Sequence, residues 1–307
     1  CGTVRDQELI FTPLSVYNIL PAPIAWTWEM LEKNEKHYRL PPEVVAVRSR
    51  RPVADLRFMK LGSAQANVMP AKLLGKILQS IQSLLESIAQ SLSGSFTGRG
   101  KISSALKSSV QLDAVAVFPS SFGIRLEAHE GSFLDDAVSV QVFDRLNDLL
   151  SQSDDKQNLK SMLLDLGPRA SAHYKSIVKH LAGAGVSVNV RSAVPGEMTS
   201  RISKLSVEDA ISIMEWMERE DVDQGLPISV IGQLVGLSLK TKYFRLEADD
   251  HVYSGRISDK CLNELNHEIT VGPFYNAQLN VQIEVRESTG QEEEKFELLN
   301  LVRIGSS

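Results

Sequence analysis

At 307 residues, with 43% hydrophobic and 23% charged residues, the chain exceeds one domain of roughly 100–200 residues, and its globular composition excludes a disordered or fibrous protein. A net charge of −5 argues against a surface dominated by phosphate binding, although a local basic patch fits inside an acidic average. Two cysteines, Cys1 and Cys261, exclude a disulfide scaffold and point to a reducing compartment, and no apolar run approaches the roughly 20 residues of a membrane helix.

The chain opens with Cys1 rather than Met, so a segment upstream is expected. No basic stretch followed by an apolar core opens it either, and a cytoplasmic protein without membrane contact is expected. Glu8 to Thr12 reads as a strand, followed by a stretch from Ile24 to Lys33 that carries Trp26 and Trp28. Arg39 to Pro42 is expected to break any helix, because proline lacks an amide donor. Val44 to Val47 and Val53 to Met59 read as β-branched strands on either side of Arg48, Arg50 and Arg51. From Ala71 to Leu92 apolar residues recur every three and four, between Pro70 and Gly94, which predicts a long one-sided helix. Its other face carries Lys72, Lys76 and Glu86.

Leu112 to Phe118 and Phe122 to Ala128 predict a hairpin. Leu134 to Leu150, Asn158 to Leu166 and Arg169 to Ala182 predict helices, and Val186 to Val190 a further strand. Ala193 to Ser203 reads as a linker before an acidic helix, Val207 to Glu220, capped by Ser206 with Asp209. Beyond Pro227 five strands are predicted at short spacing: Ile228 to Leu239, Tyr243 to Glu247, Val252 to Ile257, Ala277 to Val285 and Phe296 to Ile304, with an acidic turn from Ser288 to Glu294. The expected fold is α+β: a mixed sheet with helices packed on one face (1–192), a linker and acidic helix (193–225), and a small OB-like or SH3-like β-barrel (226–307).

No pattern of catalysis stands out. The six histidines include no pair at i, i+4 spacing, and neither cysteine lies in a Cys-x-x-Cys, so no metal or other cofactor is expected. His173 and His180, seven apart, could share one helix face, but such a repeat is weak evidence of a site. Thr97 to Lys101 (TGRGK) lacks P-loop spacing and reads better as a solvated loop, with anion binding by Arg99 and Lys101 as the minor alternative. Paired acids such as Asp249 and Asp250 read as turn or capping groups. Arg48, Arg50, Arg51 and Arg57 form one nucleic-acid candidate; Lys240, Lys242, Tyr243, Arg245 and Arg256 on the barrel form another. Strand alternation must bury half of the aromatics near the second group, Tyr243, Phe244 and Tyr253. Trp26 and Trp28 are candidate partner anchors, with core packing the plainer explanation.

The runs Arg51 to Leu61 (RPVADLRFMKL), Pro70 to Leu78 (PAKLLGKIL), Thr97 to Lys101 (TGRGK) and Phe118 to Ala128 (FPSSFGIRLEA) together resemble an uncharacterised bacterial domain family of unknown function. The resemblance covers about residues 1 to 200, and the C-terminal module resembles five-stranded barrels appended to such proteins. It implies a bacterial source, a two-module layout and a defence or toxin–antitoxin setting; no catalytic residue comes with it. The expectation is thus a non-enzymatic interaction or regulatory protein that docks a protein partner or a second copy of itself. The alternatives are a nucleic-acid-binding regulator that uses the barrel and the Arg48 to Arg57 region, and an enzyme whose site is assembled from scattered residues.

Overall fold

The computed structural model describes residues 4–5, 8–9, 40–60, 68–94, 101–118, 122–129, 136–219, 225–248, 251–264, 269–286, 289 and 291–304. Trp26, Trp28, Arg99, the Asp249–Asp250 pair and residues 10–12 of the first expected strand lie outside them. Strands β1 (Val4–Arg5) and β2 (Glu8–Leu9) pair antiparallel. Helix α1 (Pro42–Ser49) occupies the valine run read as a strand. Pro42 opens that helix instead of breaking it, because the first turn has no use for the missing amide. Val45 and Ala46 bury against Val53 and Ala193, and Arg50 ends the helix in a left-handed conformation with φ 56°. Tertiary burial thus overrides the β preference of valine.

There follow β3 (Val53–Lys60), α2 (Ala71–Leu92), α3 (Ser104–Ser109), β4 (Leu112–Phe118), β5 (Phe122–Ala128), α4 (Asp136–Ser151), α5 (Lys156–Leu166), α6 (Pro168–Ala184), β6 (Val186–Ala193), β7 (Arg201–Leu205) and α7 (Val207–Arg219). The sheet order is β4-β5-β3-β6-β7. The element order predicts a mixed sheet; every neighbouring pair is antiparallel. Its first four strands have the β-α-β-β-α-β order of a split βαβ unit. The stretch read as a linker supplies the fifth strand, because Ile202 to Leu205 continue the ladder beside β6. The reciprocal Ser206–Asp209 capping box then starts α7.

One face of the sheet packs its Ala54, Leu56, Ile124, Leu126, Val188 and Val190 against Ile81, Leu84 and Ile88 of α2, Leu146 of α4 and Ile177 of α6. Each valine, leucine or isoleucine side chain among them contributes about 1.5–3 kcal/mol when fully buried. On the opposite face, beside α1, Arg125 grips Asp55 at 2.6 and 2.8 Å and donates to the Leu40 carbonyl at 2.8 Å. Buried this deeply, the pair stands only because each charge meets the other in a fork.

The C-terminal strands are β8 (Leu226–Ser238), β9 (Tyr243–Ala248), β10 (His251–Ile257), β11 (Phe274–Val285) and β12 (Glu292–Arg303), with the short helix α8 (Asp259–Glu264) between β10 and β11. They close as a barrel, β10-β12-β11-β8-β9. The β10–β12 contact is parallel and the other four are antiparallel. With its third and fifth strands parallel and its helix after the third, the ring takes the OB-like form of the two expected. The closing contact sets Gly255 opposite Phe296, and a Cβ there would strike the Phe296 carbonyl. We expect Gly255→Val to destabilise the barrel by about 3 kcal/mol; a urea denaturation midpoint equal to that of the wild type would show that the closure tolerates a side chain.

Candidate functional site

The barrel cations lie on or beside the β9–β10 face, as strand alternation requires. Tyr243 projects outward, while Phe244 and Tyr253 are buried in the core. Most of these cations are already engaged. Lys242 Nζ sits 2.5 Å from Asp259 Oδ1, Arg256 3.9 Å from the other oxygen of the same carboxylate, and Arg245 3.2 Å from Glu247. The hydrogen bond from Lys242 and its charge hold the Asp259 carboxyl below its ordinary range. Such exposed pairs add little stability, yet they cancel the local field that a phosphate chain would meet. Lys240 stands exposed in the turn before β9.

Three arginines of the N-terminal region stand at the end of α1 and just beyond it, and the fourth in β3. Arg48 is exposed on α1, Arg50 ends that helix, and Arg51 donates to the Ala128 carbonyl at 3.3 Å. Arg57 lies four residues into β3, about 13 Å from its start by strand rise, with its guanidinium 5.4 Å from the centre of the Phe118 ring. Lys101 is exposed ahead of α3.

A different barrel surface is concentrated. Ile231 (63% exposed), Phe274 (56%), Val302 (55%) and Ile304 (41%) stand on the outside of β8, β11 and the end of β12. In the register, Asn276 faces Ile231 on one side and Val302 on the other. One row along, Phe274 faces Gln233, and its carbonyl accepts the Ile304 amide. Alternate residues project together, so the four apolar side chains share one outer face. The sequence reading passed over them because alternation within β11 does not reveal which strands flank it.

The barrel meets the first domain at α6. Glu292, read as part of an acidic turn, is the first residue of β12. It accepts from Arg169 Nε at 2.9 Å, and its other oxygen lies 2.8 Å from His173 Nε2. Arg169 also donates to Gln90 of α2 at 2.5 Å. Burial pushes the Glu292 carboxyl up, but the His173 hydrogen bond and the Arg169 charge outweigh it and hold it below its ordinary range. His173 is thus part of a junction, while His180, two turns on, lines a surface groove. Cys261 packs in the barrel core, where burial pushes its thiol up to about 11, leaving it protonated and unreactive at neutral pH. Among the described residues no three of His, Cys, Asp and Glu are grouped to hold a metal, and no helix is long and apolar enough to cross a membrane.

Because its folded pKa is depressed, Glu292 contributes stability above the ordinary value of 4.5, and this is lost as pH falls through the lower folded value. We expect Glu292→Gln to cost about 2–3 kcal/mol at neutral pH and proportionately less in acid. Urea midpoints for both proteins across the acid range check this; a gap that stays constant with pH would assign the loss to something other than the carboxylate. No family model, curated protein or solved structure matches the chain.

Proposed function

We propose that this chain is a non-enzymatic interaction protein that docks a protein partner against the outer face of β8, β11 and β12, with the α+β domain as a rigid platform behind it. The observation that carries this is the grouping of Ile231, Phe274, Val302 and Ile304 on that one face. Grouped apolar surface rimmed by polar residues is what partner sites use, and an aromatic such as Phe274 is a suitable anchor. Gln233, Ser229 and Gln278 border it, supplying a polar rim without fixed charge. The competing nucleic-acid reading has less support on the barrel, since Lys242, Arg245 and Arg256 already face carboxylates.

The test is site-specific photocrosslinking in the cells that naturally make the protein. With p-benzoylphenylalanine in place of Phe274 or Val302, a discrete protein adduct is expected, and none with the same group in place of Arg245. The double variant Phe274→Asp, Val302→Asp changes only exposed positions, so it is expected to alter stability by about 1 kcal/mol or less while abolishing the adduct of a crosslinker in place of Ile231. Indistinguishable patterns from all positions would sink the docking surface.

A further inference from the structure

The two edges of the five-stranded sheet are built differently. At one, β4 is broken by a register shift between Ala114 and Ala116, the kind of bulge that blunts an edge against further pairing. At the other, β7 runs Arg201–Leu205 with no bulge and no proline, and pairs with β6 on one side only. Its backbone donors and acceptors on the far side meet no strand among the described residues. Ile202, 72% exposed, and Lys204 project away from the core, whereas Ser203 and Leu205 are buried in it.

This bare edge is held firmly from within. The Ser203 hydroxyl lies 3.2 Å from the Asn147 carbonyl of α4 and 3.3 Å from its side-chain oxygen, and Asn147 donates to Ser192 of β6 at 2.6 Å. Arg201 lies 3.4 Å from Asp144 and 3.5 Å from Asp148 of α4, so its charge is answered within its own chain. A strand fixed in this way loses little conformational freedom when another strand adds to it.

The residues of β7 suit one such strand in particular, β7 of a second copy. Antiparallel pairing about a two-fold axis at Ser203 sets Arg201 of one copy opposite Leu205 of the other, and Ile202 opposite Lys204. Opposed residues then share parity, so the backbone groups turned away from β6 in one copy meet those turned away from β6 in the other. No two like charges stand directly opposite, a juxtaposition that destabilises a strand pair. The two Ile202 side chains lie on one face, diagonally across the axis at about 7–8 Å, flanked by the aliphatic stems of Lys204. A lysine on an edge ordinarily guards it against further strands; in this register it faces an isoleucine instead.

We propose that β7 is a self-association edge, across which two copies of the chain pair antiparallel and join their sheets into one. Sedimentation velocity of the full chain from about 1 to 300 µM is expected to show a monomer–dimer equilibrium with a Kd on the order of 10–100 µM, because so short a strand makes a small interface. Ile202→Lys sets lysine against lysine and is expected to weaken the dimer by about tenfold. Ile202→Glu sets a carboxylate against Lys204 and is expected to leave the Kd within about threefold, and Ile202→Lys with Lys204→Glu is expected to restore the dimer. Both positions are exposed, so the melting temperature of each variant is expected to stay within a few degrees of the wild type.

Disulfide trapping reads the register separately. Mild oxidation of a mixture of Ile202→Cys and Lys204→Cys proteins, each also carrying Cys1→Ser, is expected to link the two, because directly opposed residues are spaced for a disulfide, while either protein alone is expected to link far less. A chain that stays monomeric across the concentration range, a dimer that both charges at Ile202 weaken equally, or a disulfide that forms equally in the unmixed proteins overturns the proposal. So does a dimer lost in Phe274→Asp, Val302→Asp but kept in Ile202→Lys, which would place the second copy on the barrel face.

Discussion

One carboxylate ties the last barrel strand to the helices of the first domain. Glu292 opens the last barrel strand and lies against two buried α6 groups, Arg169 and His173, while Arg169 reaches on to Gln90 of α2. Arg169 could not remain this far from water without an acceptor, since an uncompensated buried cation costs more than any single apolar contact returns, and His173 Nε2 meets the other oxygen of the same carboxylate. The barrel therefore completes the charge balance of the first domain's helical layer. A second tie, from Gln79 of α2 to the Thr289 carbonyl, fixes the same hairpin end against the same helices.

With the hairpin end committed inward, the rest of the barrel surface divides by chemistry. The β9–β10 face is a lattice of opposed charges that satisfy one another. The β8–β11–β12 face groups the exposed side chains of Ile231, Phe274, Val302 and Ile304, and no described residue buries them. Water wets the first face at little cost, whereas the second gains free energy from any surface that covers it. The surface beside α2 and α6 differs again: Lys72, Lys76, Lys179 and His180 line one groove there.

Much of the fold was legible locally. The three-and-four spacing from Leu73 to Leu92 marked α2, the Ser206–Asp209 pair marked the start of α7, and alternation required part of the Tyr243, Phe244 and Tyr253 set to be buried, as Phe244 and Tyr253 are. Local signals failed where tertiary contact decides. Val44 to Val47 has the composition of a strand, but burial of Val45 and Ala46 between Val53 and Ala193 holds it as a helix. Residues 201–205 lack a strong strand pattern and become β7 because β6 offers an unpaired edge.

The functional surfaces divide the same way. The sequence by itself determined which residues carry charge and which strands alternate, because periodicity and side-chain chemistry are properties of neighbouring residues. It contained Lys72, Lys76, Lys179 and His180 in two separate helices, and Ile231, Phe274, Val302 and Ile304 in three separate segments. Only the tertiary structure decided that the first set lines one groove and that the second shares a face. The physical reason is that a shared site depends on helix packing and barrel register, and those are set by burial across the whole chain rather than by any stretch of it.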